Sequence, residues 1–520
     1  MSFPWLTVLF LVPIAGAVVV AALPSRASSS APKQISLGVS LVALAIAIGV
    51  AVGYDSGGGM QYTEVHQWIP TFGAHYALGV DGIGLALVLM TAILTPVVIL
   101  ASWHHGDGET GSVLAPARWA PKGFFAWMLA LEGLALGVFE ATDVFLFYIF
   151  FEATLVPIWF LVSGWGGPDR ARAGMKFLVY SLVGGFVLLI GVIGLYVYSS
   201  GQPGGPTYLV SELAKMHFGT GAGRWMFLAF FIAFAIKAPM FPVHTWLPDT
   251  TEQATPGTSV LLVSVLDKIG TFGMIRFCLE LFPGASRWAT PVIIVLAIIS
   301  ILYGGLMAIG SNNIYRLIAY TSVSHFGFIV LGIFVLNSQG LSGANLYMVN
   351  HGFSTAALFL VAGFLISRRG SALISDFGGV EKVAPVLAGI FLVAGLSTLS
   401  LPGLAPFVSE ILVLIGAFVH SAWAAAFAVL GIVLAAFYVL LMYQRVFTGP
   451  PREETRLIPD LNVRELAALA PLVVILVVLG FYPKPLLSWL NPTTQHTMSV
   501  VGVHDPAPTV ANSQAEEAHQ

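Results

Sequence analysis

The sequence contains little charge. Only 9% of its 520 residues are charged, 57% are hydrophobic, and the mean hydropathy is +0.88. Because about a quarter of the residues of a soluble domain are charged, this composition excludes an ordinary soluble protein and predicts a polytopic membrane protein in contact with the lipid bilayer. The net charge of -3 also excludes a broad cationic surface, so we expect no nucleic-acid partner.

Cysteine and nucleotide-binding motifs are scarce as well. Cys278 is the single cysteine, which excludes an intrachain disulfide and a cysteine-rich zinc or iron–sulfur site. The sequence has no P-loop, no G-x-G-x-x-G after a strand and no H-E-x-x-H. We therefore expect no cofactor and no metal in this chain.

Long apolar runs dominate the sequence. A membrane span needs about 20 mostly apolar residues, and this criterion predicts about 14 helices. Since only helices or closed barrels satisfy the backbone in lipid, we expect an all-α polytopic fold without a sheet. The N-terminal run lacks a basic region before it, so it is predicted to be a retained span rather than a cleaved signal. The tail from Pro483 is expected to be extramembranous and loosely ordered. The predicted helices begin near residues 3, 34, 78, 122, 142, 172, 224, 255, 288, 313, 343, 383, 423 and 464.

Lysine and arginine are unevenly divided between the two sides of the predicted bundle. If the first loop is cytoplasmic, 15 of them lie on that side and 5 on the other. Cytoplasmic loops carry the excess of Lys and Arg, so both termini are predicted on the outer side. The two basic residues left over, Lys237 and Lys268, fall inside predicted spans.

These two lysines lie in the apolar middles of the seventh and eighth spans. Lys237 follows Arg224 by 13 residues, which is about 20 Å of helix. Pro239 and Pro242 interrupt the seventh span just after it. A charged group at this depth is costly and by default indicates a function. A lysine held between burial and a nearby carboxylate can take up and release a proton. The alternative is a static buried ion pair.

Two carboxylates are predicted at similar depth. Glu152 lies in the fifth span with no basic residue near it in its own helix, and Lys237 is its first candidate partner, with Lys176 on the sixth span as the second. Glu410 lies beside an interruption of the twelfth span. An unpaired carboxylate in lipid has no evident structural use, so a function is favoured for both.

Three further polar residues belong to the same region. His325 and His351, on the tenth and eleventh spans, can hold or pass protons because histidine titrates near neutrality, although packing is an equally good interpretation. Asp267 directly precedes Lys268 but points about 100° away, so it is not a ready partner for that lysine. The titratable residues at similar depth on five helices suit a lateral chain of proton sites rather than a metal cage, and they are Glu152, Lys237, Lys268, His325 and Glu410.

An internal repeat is also predicted. Lys237 and Glu410 lie 173 residues apart, each beside an interrupted helix. An odd number of helices separates them, which reverses direction and is typical of inverted repeats. The alternative is that Pro and Gly are simply common in membrane helices. The predicted segments are 1–121 for helices 1–3, 122–282 for the first repeat (helices 4–8), 283–450 for the second (helices 9–13), 451–482 for a loop and helix 14, and 483–520 for the tail.

The segments around these residues resemble the proton-translocating antiporter-like subunits of respiratory complex I, a NADH:quinone oxidoreductase. The resemblance covers about residues 80 to 450 and is strongest to the M, or chain 4, group. It rests on the segments TDVFLFYIFFEATLVPIWFLVSGWGG, FAIKAPMFPVHTWLPDTTEQATPGTSVLLVSVLDKIGTFGMIRF, NNIYRLIAYTSVSHFGFIVLGIF, MVNHGFSTAALFLVAGFL and LSLPGLAPFVSEILVLIGAF.

The resemblance implies a role for each matching residue. Glu152 and Lys237 would form an ion pair that sets the proton affinity of the lysine, Lys268 would be the central site and Glu410 the terminal one. Relatives of the L group generally place lysine at that last position, so Glu410 points to the M group. Asp267 departs from the apolar residue expected in many relatives. Secondary positions of the same axis are His325, His351 and Lys176.

The resemblance also implies a setting. The chain would pump protons in a bacterial inner membrane beside other membrane subunits of complex I, especially neighbouring antiporter-like subunits. FMN, iron–sulfur clusters and quinone would belong to other subunits. Two alternatives stay open: a subunit of a multi-subunit cation/proton antiporter or membrane-bound hydrogenase, and a structural membrane subunit whose ion pairs lock helices.

Overall fold

Long apolar helices make up most of the chain. The computed structural model describes residues 3–24, 28, 30–57, 59–104, 115–503 and 505. Within these ranges 13 helices are long and apolar enough to cross a membrane, and two shorter apolar helices form one further, broken span. The predicted polytopic helical fold is confirmed. The spans are α1 Trp5–Ala22, α2 Ala31–Val52, α3 Gly82–Ala101, α4 Pro121–Glu140, α5 Val144–Trp165, α6 Arg170–Ser200, α7 Thr220–Lys237, α8 Pro256–Leu279, α9 Pro283–Gly310, α10 Ile314–Phe334, α11 Ser338–Arg369, α12a Pro385–Thr398, α12b Ala405–His420, α13 Ala422–Phe447 and α14 Val463–Phe481.

Three of these helices form the centre of the bundle. The most apolar stretches of α8, α10 and α11 are wholly buried inside the protein, whereas those of α1, α2, α6 and α13 are buried to less than half. Outer helices present apolar side chains such as Phe186 and Ile190 on their exposed faces. Polar groups on the central three helices therefore face protein rather than lipid.

Both predicted helix interruptions are present. Helix α7 ends at Lys237, and the chain continues irregularly to a short helix, Trp246–Gln253. The indole Nε1 of Trp246 donates to the carbonyl of Ile236 at 3.0 Å, which satisfies a backbone group that the break would leave open. Helices α12a and α12b are separated by a turn in which Gly403 has φ +93°, a conformation that glycine adopts without strain.

A β-hairpin lies between α2 and α3, so the expectation of no sheet is wrong. Strand β1, Gln61–Ile69, pairs antiparallel with β2, Ala74–Val80. The rule that excludes sheets holds only within the hydrocarbon region, and this hairpin belongs to a connection between spans. Glu64 on β1 accepts a hydrogen bond from the amide of Leu6 at 3.0 Å, which attaches the hairpin to the start of α1.

The first part of the tail is ordered, contrary to expectation. Residues Lys484–Val501 form helix α15, whose one face is buried against the bundle. Thr493 accepts from the amide of Gly82 at 3.2 Å, and Thr494 accepts from the amide side chain of Asn345 at 3.0 Å. A helix this polar overall stays ordered because its hydroxyl groups bond to the ends of α3 and α11. Residues 504 and 506–520 of the predicted tail lie outside the described residues.

Candidate functional site

Lys237 is the last residue of α7 and is 3% exposed. Its Nζ lies 5.3 Å from the ring centre of Phe151 and 6.0 Å from that of Phe177. It interacts electrostatically with Asp267 and Glu152, yet has no hydrogen-bond partner among the described residues. The ammonium is therefore balanced by carboxylates without being fixed in a direct ion pair, unlike a static lock between helices.

Glu152 lies on α5 and faces the same region. It interacts electrostatically with Lys237, and its Oε1 has no hydrogen-bond partner within the described part of the chain. The carboxylate packs on Gly185 of α6, where an added Cβ would overlap it. The absence of a side chain at Gly185 thus makes the room that the Glu152 carboxylate occupies.

Lys268 is completely buried on α8. Its Nζ donates to the carbonyl of Val263 at 2.7 Å and lies 2.7 Å from Nδ1 of His351 on α11. A π-helical segment, Leu261–Leu266, immediately precedes it in α8. Such widened turns are frequent at functional sites. The contact with His351 shows that Lys268 points towards α11.

His351 leads on to a second histidine and two tyrosines. The ring centres of His351 and His325 are 5.1 Å apart, and those of His325 and Tyr347 are 5.9 Å apart. The Tyr438 hydroxyl lies 3.5 Å from Nε2 of His325. All four side chains are at most 4% exposed. They line up through an otherwise apolar core, where the two histidine rings contact each other without a hydrogen bond among the described residues.

Glu410 lies at the far end of this connection, on α12b. Its Oε2 accepts a hydrogen bond from the Tyr347 hydroxyl at 3.3 Å and another from the hydroxyl of Ser400. Ser400 lies in the turn between α12a and α12b, so the helix break supplies the second donor. We call the whole set, in which Glu152 is half-buried and the others are buried, the buried row: Glu152, Lys237, Asp267, Lys268, His351, His325, Tyr347, Tyr438 and Glu410.

Lys176 does not join the buried row. Its Nζ donates to Asp249 at 2.6 Å, and Arg316 donates to the other oxygen of Asp249 at 2.7 Å. Lys176 and Asp249 are about one-third exposed. The structure thus pairs Lys176 with Asp249 rather than with Glu152, at the edge of the bundle. Arg316 also donates to Glu252 at 2.9 Å, which extends this surface cluster.

The side chains of the buried row are ill suited to hold a metal ion. Within the described ranges no three His, Cys, Asp or Glu residues converge at metal-binding distances. The row alternates cations, carboxylates, imidazoles and phenols, each of which can gain or lose a proton. These groups are chemically able to transfer protons.

Comparison with known proteins places the fold and the buried row in a family. Residues 141–435 match the model of a family described as NADH:quinone oxidoreductase/Mrp antiporter, TM. This match covers more than half of the chain and contains every residue of the buried row except Tyr438. The chain belongs to this family. The matched residues therefore include the helices that carry most of the row, whereas the hairpin and α15 lie outside the matched residues.

Individual relatives agree with the family assignment. The chain is 50% identical over 540 residues to NADH-quinone oxidoreductase subunit M of Mycobacterium tuberculosis, covering 98% of this chain and 97% of the relative. Among solved structures, a chain of respiratory complex I from Thermus thermophilus with bound NADH is 29% identical, with a TM-score of 0.85 over 96% of this chain and 100% of that chain. A chain of the Mrp complex from Dietzia sp. DQ12-45-1b, at 23% identity and a TM-score of 0.84 over 96% of this chain and all of that chain, shares the fold.

Two members of the buried row were not candidates from the sequence, and the role of a third, Asp267, was left open. Tyr347 and Tyr438 look like ordinary core aromatics, because one tyrosine in an apolar helix carries no periodic signal. Asp267 was noticed, but its direction depends on how α8 is rotated against α7. The sequence offers one signal for such residues, because a tyrosine hydroxyl deep inside a helix bundle usually needs a hydrogen-bond partner. This signal does not identify which residue the partner is.

Gly185→Ala is expected to impair the buried row without changing any titratable group. The new methyl group would displace the Glu152 carboxylate from its position near Lys237. Since misplacement by about 1 Å can cost up to about 100-fold in rate, we expect a large loss of proton translocation in membrane vesicles. Gly38→Ala on α2, where an added Cβ would meet nothing within 4 Å, is the matched control. Equal translocation by the two variants would contradict the placement of Glu152.

Proposed function

We propose that the buried row carries protons laterally through the bundle, from Glu152 and Lys237 through Lys268 to Glu410. The observation that supports this most strongly is the close succession of titratable side chains from Lys268 to Glu410. Lys268 bonds to His351, His351 packs against His325, and Tyr347 bonds to Glu410. The chain is thus a proton-translocating membrane subunit of a NADH:quinone oxidoreductase.

Electron transfer would take place elsewhere in the complex. FMN, iron–sulfur clusters and quinone are assigned to other subunits, since this chain offers proton-transfer groups and no evident redox motif. The subunit lies in a bacterial plasma membrane beside other membrane subunits, including its antiporter-like neighbours. The distribution of Lys and Arg supports a topology with both termini on the outer side.

The energy of one ion pair is large enough to move one proton against the membrane potential, if the pair forms and separates once in each cycle. Moving one charge against 100 mV costs about 2.3 kcal/mol. Two unit charges about 4 Å apart near a protein surface interact by about 4 kcal/mol. A proton taken up from the cytoplasm at Lys237 would move to Lys268 and Glu410, and be released outward as the charges of Glu152 and Lys237 come together again.

The two broken helices support an inverted repeat around this path. Lys237 ends α7 at one break, and Glu410 follows the other break in α12b. We assign helices 4–8 (122–282) and 9–13 (283–450) to the two repeats, with 1–121, 451–482 and 483–520 outside them. Broken helices at matching positions are where transporters of this construction bind their ions.

Glu410→Gln tests the proposed path at its terminal site. The amide keeps the size of the side chain but cannot take up and release a proton. In vesicles carrying the intact complex, NADH-driven acidification, followed with a pH-sensitive dye, should fall clearly, and Glu410→Asp should recover part of it. Undiminished acidification by assembled Glu410→Gln complex would overturn the proposal.

The alternatives make different predictions in the same preparation. A structural subunit would lose assembly, rather than transport, when the row is neutralised. An antiporter or hydrogenase subunit would copurify with different partners, which mass spectrometry of the purified complex identifies. The 50% identity to a subunit M favours the quinone oxidoreductase, because the Mrp match, at 23% identity, reflects the fold alone.

A further inference from the structure

Asp267 is buried within electrostatic range of two lysines and is hydrogen-bonded to neither among the described residues. It is fully buried on α8, and neither carboxylate oxygen has a hydrogen-bond partner within the described ranges. It interacts electrostatically with Lys268 and with Lys237. Burying a carboxyl group without hydrogen-bond partners is costly, so its presence here needs an explanation beyond packing.

The face of α8 that bears Asp267 lies against the end of α7. Asp267 and Gly270 are three residues apart and share one side of the helix. An added Cβ at Gly270 would lie 2.6 Å from the amide nitrogen of Ala238 and 2.6 Å from the carbonyl oxygen of Phe234. The backbone of α7 on both sides of Lys237 therefore contacts the α8 face on which Asp267 lies.

Lys268 faces a different way. Adjacent helix positions point about 100° apart, and Lys268 is directed to His351 on α11. Asp267 thus lies on the face of α8 towards α7, and Lys268 bonds to His351 on α11, while the two adjacent side chains still interact electrostatically. Among the described residues, Asp267 is the titratable side chain that interacts electrostatically with both Lys237 and Lys268.

We propose that Asp267 is a proton-carrying residue, which takes a proton from Lys237 and passes it to Lys268. This inference rests on the proposed function and adds the step that joins its first two sites. Two ammonium groups cannot exchange a proton directly when both are charged, since neither has a free lone pair. A carboxylate between them can accept from one side and donate to the other.

The step conserves protons and charge. An N–H bond of the Lys237 ammonium breaks and an O–H bond forms on Asp267, which leaves a neutral amine and a neutral carboxylic acid. The O–H bond of Asp267 then breaks and an N–H bond forms on a neutral Lys268 amine, which restores the carboxylate beside a charged Lys268. No oxidant, reductant or further reactant is required.

Asp267→Asn tests the step directly in vesicles carrying the intact complex. The amide has the shape of the carboxylic acid but cannot relay a proton. General acid–base groups contribute about 10²–10⁴-fold to rates, so translocation through this subunit should fall at least about 10-fold. Asp267→Glu, which keeps the carboxyl group, should restore translocation. A residue needed only for packing would fail in both variants, and that result would overturn the proposal.

Gly270→Ala provides a second test that leaves every titratable group unchanged. Its methyl group should push the end of α7 away from α8 and so separate Lys237 from Asp267, with a loss of translocation. Gly389→Ala on α12a, where an added Cβ meets nothing within 4 Å, is the control. Full translocation by Gly270→Ala would contradict the transfer between these two residues.

The outcomes separate this inference from the proposed function. If neutral variants of Lys237 and Lys268 abolish translocation but Asp267→Asn does not, the row conducts without Asp267 and the inference is wrong. If the neutral lysine variants translocate normally, the proposed function itself fails. Loss in Asp267→Asn with recovery in Asp267→Glu supports both.

Discussion

Lys237→Met is expected to remove proton translocation through this subunit while the complex still assembles. Lys237 is the one cation at the end of α7, is 3% exposed, and interacts with both Asp267 and Glu152. Methionine fills a similar volume between the rings of Phe151 and Phe177, so the bundle should keep its packing. Loss of a proton-transfer group costs about 10²–10⁴-fold in rate. NADH-driven acidification of vesicles should accordingly fall sharply at a matched content of assembled complex.

The control for this experiment is Lys382→Met. Lys382 is an exposed lysine in the connection before α12a, so its loss removes the same charge without touching the buried row. Complex that carries Lys382→Met should pump protons as well as the unsubstituted complex. Normal pumping by assembled Lys237→Met complex would exclude the proposed path, whereas absence of assembled complex would support the structural alternative.

Arg276→Leu is expected to destabilise the subunit rather than to uncouple it. Arg276 Nη2 lies 2.5 Å from Asp81 on the loop before α3, and Nη1 lies 3.4 Å from Glu280 at the end of α8. Removing one partner of a buried ion pair costs about 3–5 kcal/mol, because the remaining charges stay buried and unpaired. The thermal unfolding midpoint of the purified complex, or its yield, should drop.

Arg287→Leu is the matched control for that loss. Arg287 lies near the start of α9 and is exposed, so its removal leaves no buried carboxylate behind. Unchanged stability of the Arg276→Leu variant would show that the carboxylates of Asp81 and Glu280 do not depend on Arg276 for a partner. Reduced acidification at unchanged stability would instead add Arg276 to the proton path.

Lys237, Lys268 and Glu410 could be found from the sequence because a charge within an apolar run is a rare and expensive feature. The interruptions beside two of them were visible as prolines. Their mutual arrangement was not, since it depends on helix rotation: Asp267 and Lys268 are adjacent in sequence yet face different helices. Lys176 was the second candidate partner of Glu152, and Asp249 proved to be its partner instead.

The other missed features have equally physical causes. Apolar periodicity describes the bilayer-spanning parts, so the hairpin β1–β2 left no signal of that kind. Helix α15 contains Pro492 and many hydroxyl side chains, and it is held by contacts with residues far away in sequence. Long-range contacts of this type cannot be derived from local composition.

The contact between Lys268 and His351 limits how protons can follow one another. While Lys268 is charged, its Nζ can only donate, so Nδ1 of His351 accepts and the ring hydrogen resides on Nε2. A proton passed to Nδ1 can leave from Nε2, but the ring is then the opposite tautomer and cannot accept from Lys268 again. The imidazole must exchange its hydrogen between the two nitrogens before the next transfer. Protons therefore cross this contact singly, with a reset of the ring between them.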